Sequence, residues 1–253
     1  GDLEAYATGK RAPAAARIQS ELTEQDATEE IPVIGLRRRI AQKMQESKRR
    51  IPHFAYVEEV DVTELEKLRA FLNETRREDQ PKLTLLPFIM RAVVLAVADY
   101  PQINAHFDDD AGIITRHRAV HLGIATQTKS GLVVPVVKHA QARDIWESAA
   151  EVSRLAGAAR DGKADRGELS GSTITISSLG PLGGIVSTPI INHPEVAIVG
   201  INRIVERPVF VDGAVIARKL MNLSSSFDHR VVDGQDAAEF IQRVRQLLEV
   251  PAT

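Results

Sequence analysis

Residues 223–234 read LSSSFDHRVVDG, so His229 stands between Asp228 and Arg230, Asp233 follows four residues later, and Gly234 supplies a turn. An imidazole with an ordinary pKa of about 6.5 accepts a proton near neutrality. A histidine placed where a strand gives way to a turn is therefore a candidate general base. A buried Asp233 would need a cationic partner, and the basic stretch near the N-terminus offers several. A second candidate lies in TITISSLGPLGG, where Ser177 and Ser178 sit as a strand runs into a glycine-rich loop. A hydroxyl there can act as a nucleophile or donate to a developing oxyanion. No G-x-S-x-G elbow is present, which weakens a hydrolase reading. The other histidines show no metal-ligand spacing, so no metal site is expected. The run LGPLGG matches neither G-x-G-x-x-G nor a P-loop. HFDDDAG is too short for an EF-hand and reads as a solvated loop.

Those residues need a scaffold, and the composition allows one. The 253 residues are 43% hydrophobic and 26% charged, ordinary values for a globular chain with a core. A formal net charge of −2 gives no reason to expect nucleic acid or an anionic membrane surface as a partner. No run of 18 apolar residues suggests a membrane span. With no cysteine, disulfides, thiolate metal sites and thiol nucleophiles are excluded.

Spacing then places the elements. Residues 1–8 look like the tail of a helix, and 9–30 have linker composition, with a short docked helix at 17–22 as the alternative. A globular region is expected from Ile31 to Thr253. GLRRRIAQKMQESKRR carries Leu36, Ile40 and Met44 at helical spacing. HFAYVEEVDV alternates as a strand, and Thr63 with Glu66 suggests a capping box for the helix that follows. Residues 84–99 are apolar nearly all round, as in a buried helix with Pro87 in its first turn. Strands are expected in AVHLGIATQT, GLVVPVVK, STITISSLG and EVAIVGINRI, and a hairpin around Asp212-Gly213. Helices are expected in ARDIWESAAEVSRLAGAARDG and DGQDAAEFIQRVRQLLE. The expected fold is α/β, a two-layer sandwich of a mixed sheet with helices on one face.

DHRVVDG, together with GLRRRIAQKM, IPHFAYVEEVDVTELEKLR, KLTLLPFIMRAV, GIATQTKSGLVVPVVK, TITISSLGPLGG and INHPEVAIVGINRI, resembles the catalytic core of the dihydrolipoyl acyltransferases of 2-oxoacid dehydrogenase complexes. The D-H-R signature is also similar to that of chloramphenicol acetyltransferases, whose fold the resemblance implies. It covers about residues 31–250, and it makes 1–8 the end of a peripheral-subunit-binding domain, with the lipoyl domain outside this fragment. It implies transfer of an acyl group from a dihydrolipoyl arm to coenzyme A, with His229 as general base and Ser177 as oxyanion donor. Asp233 then matches an aspartate paired with an arginine of the first helix, Arg37 by position, with Arg38 and Arg39 as alternatives. Coenzyme A contacts carry over onto Arg69, Thr84, Gln127, Ser177 and Ser178, although the family has aspartate where this chain has Gln127. The resemblance further implies a homotrimer with His229 and Ser177 from different chains. Trimers would assemble into a cubic or dodecahedral core that works with the dehydrogenase and dihydrolipoyl dehydrogenase components and the lipoyl domain. The compartment would be bacterial cytoplasm, or mitochondrial matrix in a eukaryote.

The stretches IPHFAYVEEVDVTEL and GLVVPVVKHAQ look most similar to branched-chain members, so isobutyryl and isovaleryl groups are expected first, then acetyl, then succinyl. One rival is an acyltransferase with a free small-molecule acceptor, which has no use for a binding-domain remnant and linker. The other is a non-catalytic scaffold, which has no physical need for both His229 and Ser177.

Overall fold

The computed structural model describes residues 26–251; the expected domain remnant at 1–8 and most of the linker at 9–30 lie outside these. A compact unit runs from Ile34 onward. Its first helix, α1 (Gly35–Arg50), gathers Lys48, Arg49 and Arg50 in the last turn, where cations complement the helix dipole. It stops at Ile51 because Pro52 disfavours helical geometry in the residue before it. Strand β1 (His53–Asp61) and helix α2 (Thr63–Thr75) follow. The expected Thr63–Glu66 capping box is absent. Asp61 Oδ1 accepts the Thr63 amide at 3.0 Å and its hydroxyl at 2.5 Å, while Glu66 is engaged by Arg69. The aspartate two residues back is simply the better-placed acceptor.

Helix α3 (Leu86–Asp99) is buried along most of its length, as its all-round apolarity predicts, with Pro87 in the first turn where no amide is needed. A hairpin of β2 (Ala105–Asp108) and β3 (Ile113–Arg116) stands apart from the main sheet, so HFDDDAG is a turn with flanking strand and not merely a loop. Then come β4 (Leu122–Thr128), β5 (Gly131–Val133) and β6 (Val136–Val137), the last two separated at Pro135, which cannot donate to a ladder. Helix α4 (Ile145–Arg160) opens with a reciprocal Asp144–Glu147 capping box. Strands β7 (Ile174–Ser178) and β8 (Ala197–Ile201) precede the hairpin of β9 (Val205–Val211) and β10 (Ala214–Asp228), and α5 (Gly234–Glu249) closes the fold.

The sheet runs β1-β10-β8-β7-β4-β5, parallel at β4–β7 and β7–β8 and antiparallel elsewhere. Strand alternation gives it two unlike faces. One presents Leu122, Ile124, Ile174, Ile176, Val199 and Phe227 to the core that α3 and α5 complete through residues such as Ile89 and Phe240. Burial of each large side chain there is worth about 1.5–3 kcal/mol. The other face carries Gly123, Thr175, Ser177, Gly200 and Ser224, which register brings side by side. Small side chains let chain segments lie close: a Cβ on Gly200 would sit 2.5 Å from the Ser224 carbonyl oxygen. Residues 184–191 cross this face, with the Ser187 amide donating to Ser224 Oγ at 3.1 Å. Helix α1 follows, its Ile40 near Gly131 of β5 and its Ser47 hydroxyl 2.6 Å from the Ile191 carbonyl. The expected mixed sheet layered with helices is observed, except that α1 lies on the second face and not with the other helices.

Candidate active site

Strand direction decides where the two candidate residues stand. Ser177 pairs with Gly200, and Gly200 with Ser224, so these three are level across β7, β8 and β10. His229 lies five residues beyond Ser224, past the far end of β10. At ~3.3 Å per residue and ~4.8 Å per strand, the two are separated by ~16 Å along the sheet and ~10 Å across it. One chain therefore holds them at opposite ends.

At the His229 end, the charged neighbours have a structural task. Asp228 is fully buried and accepts two hydrogen bonds from Arg230, Nε at 2.9 Å and Nη2 at 2.6 Å. A buried carboxylate without such a partner would be strongly destabilising. The Asp228 carboxylate also accepts the Arg230 amide at 3.1 Å, and the His229 amide donates to the Pro52 carbonyl at 3.3 Å. The Asp228 side chain thus turns inward and holds Arg230 against it, while His229 is exposed, its ring 4.4 Å from that of Phe54 at a 45° tilt. Among the described residues no hydrogen bond occupies its ring nitrogens, so the imidazole is available to a proton donor brought from outside.

At the other end, Ser177 is half-buried on the small-residue face, and no hydrogen bond engages its hydroxyl among the described residues. Ser178 points the opposite way, and its hydroxyl accepts the Gly180 amide at 3.2 Å. It joins Thr84 and Gln127 in the wall of an open cavity of about 1180 Å³ outside the carboxyl ends of β4, β7 and β8. Ligands bind at that edge in open α/β sheets. The N-terminus of α3, at Leu85 and Leu86, also faces the cavity and supplies a positive dipole end. Arg69 is not in the wall itself. It lies behind Thr84, donating to the Leu83 carbonyl at 3.4 Å and gripping Glu66 through Nε and Nη2 at 2.7 Å each. That grip holds the Glu66 carboxyl below its ordinary pKa. Arg160, Asn202 and Arg203 also line the cavity. Their positions in separate segments of the chain gave no local signal.

The expected Arg37–Asp233 pair does not form within the chain. Both residues are exposed, and neither makes an ion pair among the described residues. The reason is topological: α1 begins beside β5 and Asp233 follows β10, with β8, β7 and β4 between. The buried aspartate of the loop is instead Asp228, and its arginine is local.

Comparison with known proteins identifies the family and the fold. The family described as 2-oxoacid dehydrogenases acyltransferase (catalytic domain) matches residues 25–253. The lipoamide acyltransferase component of the branched-chain alpha-keto acid dehydrogenase complex of Pseudomonas aeruginosa is 64% identical over 256 residues, covering 100% of this chain and 59% of that protein. The chain thus spans under two-thirds of that relative's length. Among solved structures, Azotobacter vinelandii dihydrolipoamide acetyltransferase, studied for the roles of a serine, a histidine and an asparagine in its catalytic mechanism, superposes with a TM-score of 0.84. The two are 35% identical over 88% of this chain and 92% of that one. A chloramphenicol acetyltransferase shares the fold at a TM-score of 0.51 and 13% identity, covering 82% and 94% of the two chains. Matched by that family model over residues 25–253, this chain belongs to the 2-oxoacid dehydrogenase acyltransferase family, within its catalytic domain.

Proposed function

We propose that this chain transfers an acyl group, preferentially branched, from a dihydrolipoyl thioester to coenzyme A at a site built between subunits of a homotrimer. The observation that carries the proposal is the placement of an exposed base and an unengaged hydroxyl at opposite ends of one sheet, with a ligand-sized cavity at the same end as the hydroxyl, walled by the adjacent Ser178. A second copy meeting the first with unlike ends together brings His229 to Ser177. Apolar residues beside Ser177 fit such a contact: Leu179 is 62% exposed and Leu182 90%.

In that site coenzyme A enters through the cavity, with Thr84, Gln127 and Ser178 of its wall as contacts and Arg69, behind Thr84, turning from Glu66 to meet the phosphates. A guanidinium suits phosphate oxygens because it can donate two parallel hydrogen bonds. The coenzyme A thiol, with a pKa of about 8.5, is mostly protonated at neutrality. His229 takes that proton as the sulfur attacks the thioester carbon. The carbonyl oxygen becomes an oxyanion, to which the Ser177 hydroxyl donates. The oxyanion collapses, the dihydrolipoyl sulfur departs, and His229 returns the proton to it. Ser177 is a stabiliser in this scheme, and no acyl-enzyme forms. The same meeting of unlike ends carries Arg37 of one subunit toward Asp233 of the next, so that the ion pair joins subunits. The branched acyl preference follows the Pseudomonas aeruginosa relative. Assembly of trimers into a cubic or dodecahedral core, served by the dehydrogenase and dihydrolipoyl dehydrogenase components and the lipoyl domain, completes the reading.

Complementation tests it. Ser177→Ala and His229→Ala should each be inactive alone. Mixed by co-refolding in equal amounts, they should regain about a quarter of wild-type activity, because random neighbours complete that share of shared sites. Isobutyryl and isovaleryl donors should outpace acetyl and succinyl. No recovery in the mixed assembly overturns the shared site, and a preference for acetyl overturns the substrate assignment.

A further inference from the structure

The acidic turn of HFDDDAG reaches the candidate base by a route the sequence did not suggest. Asp109 Oδ1 lies 2.8 Å from Arg230 Nη1, on the opposite side of the guanidinium from its contacts with Asp228. The Arg230 guanidinium carbon sits 4.6 Å from the centroid of the Phe107 ring, within cation–π range. Arg230 is thus held by two carboxylates and an aromatic face, and it is the residue next to His229. The hairpin that supplies Phe107 and Asp109 is itself fixed. The Phe107 amide donates to the Pro194 carbonyl at 3.0 Å, and His106 Nε2 lies 2.8 Å from the Ser172 carbonyl. From its other side, Arg50 of α1 reaches Asp109 Oδ2 at 3.3 Å and Asp110 Oδ1 at 3.2 Å. Glu46 pairs with Arg50 in turn.

These contacts form a continuous chain of alternating charge from α1 through the β2–β3 turn to the loop bearing His229. The side chain of Asp109 is only 14% exposed, so its interaction with Arg230 is poorly screened by water. We propose that Asp109, with Phe107 beneath the guanidinium, is a positioning residue for the acyl-transfer reaction. It locks Arg230, and through Arg230 the peptide that aims the His229 imidazole past Phe54 toward the neighbouring subunit. The proposal rests on His229 being the base. Displacement of a general base by a fraction of an ångström slows proton transfer without altering a binding site elsewhere. Asp109, Phe107 and Arg230 do not line the cavity beside Ser178, so the effect belongs to kcat.

The test is steady-state acyl transfer by the assembled protein carrying Asp109→Asn, Phe107→Leu or His229→Ala, with coenzyme A and a short branched acyl-dihydrolipoamide varied in turn. Asp109→Asn, nearly isosteric and stripped of charge, should lower kcat by about tenfold while leaving KM for coenzyme A unchanged. Phe107→Leu, which keeps the ion pair, should lower kcat by about two- to threefold with KM again unchanged. Wild-type kcat in both variants overturns the proposal, as does a rise in KM for coenzyme A parallel to the fall in kcat. If Asp109→Asn fails to assemble, Phe107→Leu decides alone by the same criteria. Retained activity in His229→Ala would overturn the assignment of the base itself, a failure separable from that of Asp109.

Discussion

Glu195→Gln should make the protein more stable above neutrality and leave it unchanged in mild acid. Glu195 is 1% exposed and sits beside the small-residue face among three donors. Ser172 Oγ and Asn192 Nδ2 donate to Oε1, the latter at 2.6 Å, and Thr175 Oγ1 donates to Oε2 at 2.7 Å. Burial pushes the carboxyl up from 4.5 to about 7, against the opposing pull of the three hydrogen bonds and of Lys43. The folded protein therefore binds this proton more tightly than the unfolded chain does. Between pH 4.5 and 7, unfolding releases a proton, so stability falls as pH rises through that window. At about 1.4 kcal/mol per pH unit, the accumulated cost is about 3 kcal/mol and stays constant at higher pH. Glutamine can keep the contacts: its oxygen replaces Oε1 toward Ser172 and Asn192, and its amide faces Thr175, whose hydroxyl rotates to accept. Urea unfolding of both proteins from pH 4.5 to 8.5 measures the difference, in which every other titrating group cancels. The E195Q advantage should be near zero at the acid end and grow to about 3 kcal/mol by pH 8. Parallel stability curves across the whole range would refute the reasoning.

Arg230→Gln leaves Asp228 as a buried carboxylate without its cation and should cost about 3–5 kcal/mol in denaturant unfolding. Gly200→Ala forces a methyl group to within 2.5 Å of the Ser224 carbonyl oxygen, a backbone atom that cannot yield without parting β8 from β10. Its unfolding free energy should fall by at least about 1–3 kcal/mol, and kcat should fall with it because Ser177 is the cross-strand neighbour. Arg69→Ala should raise KM for coenzyme A by about 10- to 100-fold with kcat unchanged, the loss of one charge-assisted contact to phosphate.

Periodicity carried the reading of the fold wherever the signal was local. The stripes of α1 and α5, the uniform apolarity of α3 and the Asp212-Gly213 turn each specify their element within a dozen residues. The strand-end positions of Ser177 and His229 were legible for the same reason, whereas the roles proposed for them come from the family resemblance. What escaped depends on partners distant in sequence or on strand order. Asp109 and Arg230 are 121 positions apart, so the acidic turn looked solvated when it is in fact a counter-ion. Glu195 carries no mark of burial until Ser172 and Thr175 come in from β7 and its approach. Arg37 and Asp233 looked like one site by motif, but only the sheet order reveals that a single chain separates them.

The unlike ends of the sheet also bear on the life of a chain before it finds its neighbours. In the proposed shared site, a newly folded monomer would carry a base that no oxyanion donor faces and a serine that no base serves. It can encounter free coenzyme A or a loaded dihydrolipoyl arm without activating one against the other. On the proposed function, catalytic competence is acquired at the moment of association, and specific activity should decline on dilution in step with loss of the assembled form, while each separated chain keeps its fold.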